Sequence, residues 1–205
     1  LALVAKYQDH RMADRVFEGA ATQSRAVLGQ MGVSEAEAQR YGRLASAVIF
    51  PLGAYRAPAG ILRRNVKGQS GLWGYAISGD FPIVLLRVRD TENLELVRDL
   101  VQAHAWWRVR GVRSDLVIWN EDASGYRRVL DDRIHGLIAA SSEAAWVDKP
   151  GGVFVRHVDG FPEEDRVLLS AVVFAMCHPP LSFVAVCSLG IACAVARERT
   201  AGLAV

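Results

Sequence analysis

Cysteine, lysine and the common cofactor motifs are scarce in this sequence. All three cysteines lie in the last 29 of the 205 residues and none forms a C-x-x-C pair, which excludes a disulfide framework and a paired-cysteine zinc site. The glycine-rich dinucleotide fingerprint, the Walker A loop, the H-E-x-x-H helix, the G-x-S-x-G elbow and the Asp-x-Asp pair are also missing. We therefore predict no bound cofactor and no metal ligand in this segment.

Neither sign of charge dominates the chain. Its 24 basic and 22 acidic residues leave a formal charge of +2, and 51% of the residues are hydrophobic. This composition excludes a disordered chain and a nucleic-acid binder that works by bulk charge, so nucleic acid is not an expected partner. A chain of this length can bury a sizeable core and suits one domain or a domain and a half.

The first 65 residues have helical periodicity. One apolar stripe ends at Gly32, and Ser34 with Glu37 three residues later forms a capping box that begins a second helix. The apolar face of that helix continues to Pro51, and a loop rich in Gly, Pro and Arg follows. We interpret residues 1–65 as a helical linker segment.

From residue 82 the pattern changes to short apolar runs separated by helical stretches. The three runs are Pro82–Val88, Leu116–Trp119 and Val153–Val155. Continuous apolar runs of this length are typical of strands that are buried on both faces. The alternation predicts an α/β fold, in which residues 66–171 form a small parallel β-α-β-α-β unit after the helical segment.

The end of the chain departs from this pattern. Residues 167–196 contain no Asp, Glu, Lys or Arg, and His178-Pro179-Pro180 interrupts them. We treat residues 172–205 as an atypical hydrophobic tail. Three interpretations stay open: a short membrane segment, a buried hairpin, or a stretch that is not native sequence.

Two stretches have the residue types of a binding site. The first, residues 68–82, carries Trp73, Tyr75 and Asp80 among four glycines before a strand. Two aromatic rings that stack on a sugar, with a carboxylate that accepts hydroxyl protons, would form a carbohydrate platform. The alternative is a tightly packed loop with its aromatic residues in the core.

The second stretch is Asn120-Glu121-Asp122, at the carboxyl end of a predicted parallel strand. Open α/β sheets bind ligands at this edge, and we expect Arg89-Asp90 and His157-Asp159 to emerge there as well. The alternative is an ordinary polar loop, because every such sheet has polar loops at that edge.

These stretches carry a family resemblance. The chain resembles the cyclic β-1,2-glucan synthases from about residue 3 to residue 171, and four motifs in the same order carry the likeness. They are GQSGLWGYAISGDFPIVLL at 68–86, LVQAHAWWR at 100–108, DLVIWNED at 115–122 and GGVFVR at 151–156.

The resemblance implies a very large inner-membrane parent enzyme. Such a parent has a glycosyltransferase module that uses UDP-glucose, a module that closes the ring and a cellobiose-phosphorylase-like region of glycosyltransferase family 36. This segment would lie beside that region on the cytoplasmic side, with the other modules and β-1,2-glucan as its partners. None of the family's catalytic motifs is present here, so no catalytic residue is assigned. Because the likeness stops near residue 171, we favour the non-native interpretation of the tail, through a frameshift or truncation.

We therefore expect an internal fragment of such a synthase that acts as a scaffold or contacts carbohydrate and has no complete active site. The predicted carbohydrate-binding residues are Trp73, Tyr75, Asp80, Asn120, Glu121 and Asp122. One alternative is a small glycan-active domain in which Asp80 and Glu121 form an acid/base pair. Another is an interaction domain that residues 167–196 anchor in a membrane.

Overall fold

The computed structural model of the protein describes residues 10–50, 57–122, 127–173 and 175–177. The chain divides into two compact units, and the boundary lies between Gln39 and Arg40. Most of the predicted tail, residues 178–205, lies outside the described residues. The three interpretations of that tail therefore stay predictions.

The first unit is helical, as predicted. Helix α1 (His10–Met31) ends at Gly32, which adopts φ +62°, and the N–H of Val33 then donates to the carbonyl of Leu28. Helix α2 (Glu35–Ile49) begins with the predicted capping box. The N–H of Ser34 donates to Oε2 of Glu37 at 2.8 Å, and the N–H of Glu37 donates to Oγ of Ser34 at 3.3 Å.

The second unit begins inside α2 and contains the sheet. The predicted apolar face of α2 is buried, and its members are Tyr41, Leu44, Ala45, Ala47 and Val48. The predicted loop after α2 contains a short helix, α3 (Ala59–Arg64), whose last turn ends in two arginines that interact favourably with the carboxyl end of a helix. A 3₁₀ helix, Gln69–Tyr75, precedes the first strand.

The sheet has four parallel strands in the order β3-β2-β1-β4. Its strands are β1 (Ile83–Val88), β2 (Asp115–Asn120), β3 (Val153–His157) and β4 (Ala175–Cys177). The helices between them are α4 (Leu94–Val109), α5 (Arg127–Ala139) and α6 (Glu163–Val172). This arrangement confirms the α/β fold with a helical beginning. The fourth strand belongs to the segment that we predicted as a hydrophobic tail, and it pairs with β1.

Apolar packing around β1 and β2 explains why these runs form strands. All six residues of β2 are buried, and five of the six in β1 are. One cluster of side chains, including Leu85, Val117, Phe154 and Leu168, fills the space between the sheet and α6. Each such side chain contributes roughly 1.5–3 kcal/mol when it is fully buried.

Strand direction determines which residues can meet. Ile83 of β1 lies level with Asp115 of β2, and Val88 lies level with Asn120, which in turn is level with His157 of β3. The loop before β1 is therefore at the amino-terminal edge of the sheet, whereas the loop after β2 is at the carboxyl edge.

Candidate functional site

The loop before β1 presents an exposed tryptophan beside polar side chains. Trp73 is 64% exposed, and its Nε1 donates to the carbonyl oxygen of Ser78 at 3.2 Å, which holds the indole in one orientation. Nε2 of Gln69 donates to the same carbonyl at 2.8 Å and to Oδ1 of Asp80 at 3.0 Å. Ala76 and Gly79 both have positive φ, and these two turns bring the chain back on itself. An aromatic ring, an amide and a carboxylate thus share one surface.

Tyr75, the second predicted platform residue, is half-buried and packs against the hydrophobic core. Its ring stacks on Phe161 at 3.7 Å between centroids, and its hydroxyl donates to Oδ2 of Asp165 at 2.7 Å. Burial, with this hydrogen bond, raises the pKa of Tyr75 to about 12. Nζ of Lys67 donates to Oδ1 of Asp165 at 2.7 Å, and the hydrogen bonds from Lys67 and Tyr75 lower the pKa of Asp165. We conclude that the alternative interpretation, a packed aromatic residue, describes Tyr75.

The carboxyl edge holds the predicted polar group that follows β2. Asn120 is buried, and its Oδ1 accepts the N–H of Asp122 at 3.0 Å. Glu121 is only 10% exposed and forms ion pairs with Arg87 and with Arg89, the latter at 3.0 Å. The expected convergence of Arg89 on this edge is therefore present. The Glu121 carboxylate is paired with both guanidinium groups, so it links the carboxyl ends of β1 and β2.

The structure contradicts the proposed acid/base pair of Asp80 and Glu121. Asp80 precedes β1 and Glu121 follows β2, so the five residue steps between Ile83 and Val88 separate their levels in the sheet. At about 3.3 Å a step, this is roughly 16 Å along the strands. Two carboxylates that cleave a glycosidic bond lie about 5–9.5 Å apart. The predicted site residues therefore divide into two groups at opposite edges.

A third polar cluster, which the sequence did not indicate as a site, lies at the amino-terminal edge of β2 and β3. His104 of α4 contacts Glu143, and Glu143 also forms an ion pair with Arg108, whose guanidinium carbon lies 4.3 Å from the ring centroid of Trp146. Glu143 lies in the linker between α5 and β3, which has no periodic pattern. The sequence therefore contained no signal for this contact.

Asp115 adds a second buried carboxyl group at this edge. It heads β2, and its Oδ1 accepts the N–H of Gly151 at 2.7 Å. Burial raises the pKa of Asp115, although the hydrogen bond from Gly151 opposes this effect.

Within residues 10–50, 57–122, 127–173 and 175–177, no three His, Cys, Asp or Glu side chains are placed to hold one metal ion. In the same ranges, no helix combines the length and the apolar character that crossing a membrane requires.

The fold and these edges define a small parallel α/β module, and its sequence is similar to part of a much larger enzyme. That relative is the cyclic β-(1,2)-glucan synthase NdvB of Rhizobium meliloti (strain 1021), which is 35% identical over 116 residues. The match covers 57% of this chain and 4% of the relative. No family model matches the chain. The resemblance predicted from the sequence is confirmed, and the chain is related to that synthase over this segment.

Proposed function

We propose that the chain is a segment of a glucosyl-transferring protein of the cyclic β-1,2-glucan synthase kind, and that its α/β unit is a scaffold whose 69–82 loop contacts the glucan. The main support for the glucan contact is the exposed indole of Trp73, which a hydrogen bond to Ser78 holds beside Asp80 and Gln69. In this proposal the longer parent uses UDP-glucose and lies at the inner membrane, with this segment on the cytoplasmic side and the other modules as its partners.

The chemistry of the loop suits a neutral sugar. The C–H face of a pyranose packs on an indole, and its hydroxyl groups exchange hydrogen bonds with a carboxylate and an amide. A cleft of about 170 Å³ opens beside Gln69 and Gly79. It is smaller than the clefts that enclose drug-sized ligands, so a glucan chain would lie across the surface with at most one unit in the cleft.

The placement of the other predicted residues favours contact over catalysis. Asp80 and Glu121 lie at opposite edges of the sheet, Tyr75 packs on Phe161, and Glu121 is paired with two arginines. The proposal therefore assigns the glucan contact to Trp73 and Asp80, while Asn120 and Asp122 lie at the other edge of the sheet and stay predictions.

Calorimetric titration of the full chain with linear β-1,2-glucan oligosaccharides tests this role. We expect saturable binding that Trp73→Ala weakens by about tenfold, because the stacking surface is lost. Phe17→Ala is the matched control, since Phe17 is an exposed aromatic residue on α1, at 73% exposure. Circular dichroism verifies that both variants fold. Absence of binding, or an equal loss in Phe17→Ala, would contradict the proposal.

A further inference from the structure

A second cleft, of about 340 Å³, opens at the amino-terminal edge of β2 and β3, at the opposite end of those strands from Asn120 and His157. Two arginines and a tryptophan, Arg108, Arg113 and Trp146, line it together with Pro150 and Gly151. None of these residues belongs to the proposed glucan-contacting loop. The cleft therefore needs its own explanation.

Arg108 and Trp146 form a fixed wall of this cleft. The Arg108 guanidinium stacks over the indole at 4.3 Å and forms an ion pair with the fully buried carboxylate of Glu143. Nη1 of Arg108 is buried and makes no hydrogen bond to any part of the chain that the structure describes, so Arg108 shapes the wall and presents no free donor to the cleft. Trp146 stays 39% exposed, so part of its surface is open to a ligand.

The loop that carries Trp146 is held rigidly. The N–H of Trp146 donates to the carbonyl of Glu143 at 2.8 Å, and the N–H of Gly152 donates to that of Lys149 at 2.9 Å. A Cβ atom on Gly152 would lie 1.9 Å from the carbonyl oxygen of Trp146, so the chain approaches itself here as only glycine allows. The wall is thus formed before any ligand arrives, which lowers the cost of binding.

Arg113 supplies a cation without a counter-ion. It is exposed on the loop before β2 and forms no hydrogen bond or ion pair with any described residue. Two of the nearby acidic groups are paired with other arginines, Glu143 with Arg108 and Asp148 with Arg156 at 2.8 Å. The third, Asp115, is fully buried. Arg113 therefore brings to the cleft a positive charge that no described side chain pairs with.

We infer that this cleft binds an oxyanion, either a phosphate ester or a carboxylate, that is carried on a flat or apolar body. Arg113 binds the anionic oxygens, because a planar guanidinium matches both groups with paired N–H donors. The exposed part of Trp146 and Pro150 contact the body of the ligand. A neutral glucan offers no anionic group to Arg113, so the inference goes beyond the proposed function and does not depend on it.

Calorimetry at low salt with phenyl phosphate, benzoate and inorganic phosphate tests the inference on the full chain. Saturable binding of phenyl phosphate or benzoate is expected, and whichever binds more tightly identifies the anionic group. Inorganic phosphate lacks the apolar body and should bind more weakly. Added salt should weaken binding, since the attraction is between charges.

Arg113→Gln should lower the affinity for the tighter-binding organic probe by about tenfold, because one charge-assisted contact is lost. Because Arg113 is exposed and unpaired among the described residues, this variant should keep its fold. Arg64→Gln is the matched control, as Arg64 is 58% exposed and lies outside the cleft. The inference is wrong if neither organic probe binds, or if Arg64→Gln costs as much affinity as Arg113→Gln.

Discussion

Oε2 of Glu143 lies 2.8 Å from Nδ1 of His104, and both side chains are almost fully buried. Nε2 of the same imidazole lies 2.8 Å from the carbonyl oxygen of Ser114. Arg108 binds the other carboxylate oxygen of Glu143. One carboxylate thus connects α4 to the linker before β3, and through His104 to the start of β2.

Removal of this carboxylate should destabilise the second unit strongly. Glu143→Ala leaves Arg108 and His104 without their acceptor, and breaking a buried pair costs about 3–5 kcal/mol. Urea denaturation should show this loss of unfolding free energy. Glu95→Ala removes an exposed carboxylate that pairs with Arg98 at 2.5 Å, and it should cost less than about 1 kcal/mol. Similar losses in both variants would contradict this account of Glu143.

The Lys67–Asp165–Tyr75 contacts predict a loss of stability in acid. Hydrogen bonds from Lys67 and Tyr75 lower the pKa of Asp165 below its ordinary value of 3.8. A lowered pKa in the folded state stabilises the fold above the ordinary value, and this stabilisation is lost as the pH falls further. Denaturation curves recorded below about pH 4 should therefore show less pH dependence in Asp165→Asn than in the native chain. If the unfolding free energy of the variant and of the native chain falls equally below pH 4, this role of Asp165 is wrong.

The same contacts predict a separate loss of stability in alkali. Burial, with the hydrogen bond to Asp165, raises the pKa of Tyr75 from 10.0 to about 12. A raised pKa stabilises the fold below the ordinary value, and the stabilisation disappears between about pH 10 and 12. Tyrosinate absorbance should show a late-titrating component that is missing in Tyr75→Phe. If Tyr75→Phe loses no absorbance above pH 10 relative to the native chain, the packing of Tyr75 is wrong.

The two carboxylates once considered as a catalytic pair should behave differently on substitution. Glu121→Ala leaves Arg87 and Arg89 without an acceptor at the ends of β1 and β2, and should lower the unfolding free energy by about 1–3 kcal/mol. Asp80→Ala removes a surface hydrogen bond from Gln69 and should change the unfolding free energy by less than about 0.5 kcal/mol. Thermal and urea unfolding of the two variants measure the difference, and the reverse order would contradict these assignments.

Two glycines provide a matched test of the backbone. Gly152→Ala places a methyl group 1.9 Å from the carbonyl oxygen of Trp146, so the loop must shift at a cost of about 1–3 kcal/mol. Gly136 lies inside α5 with open space at its Cβ position, and Gly136→Ala should stabilise the helix by about 0.5–1 kcal/mol. Opposite shifts in the urea midpoint are expected. A shift of the same sign in both would contradict the close approach at Gly152.

The sequence predicted the elements that short-range patterns determine, namely apolar runs and helix capping. Apolar runs identified β1, β2 and β3, and the spacing of Ser34 and Glu37 identified the start of α2. The short helix α3 was missed because no periodic pattern fits its six residues. Strand β4 was missed because its sequence reads as part of a hydrophobic tail.

The candidate sites depend on contacts between distant parts of the chain. The order of the chain already implied that Asp80, before β1, and Glu121, after β2, leave opposite edges of a parallel sheet. The contact between His104 and Glu143 had no such signal, because 39 positions separate the two residues and one lies in a linker. Only the packing of α4 against the loop before β3 brings them together.

Hydrogen exchange of the full chain, with and without saturating β-1,2-glucan oligosaccharide, tests the central proposal most directly. The proposal predicts slower exchange of backbone amides within residues 69–82 and unchanged exchange in residues 115–122. Slower exchange only at the carboxyl edge, around Asn120 and Glu121, would contradict it, as would unchanged exchange throughout the chain.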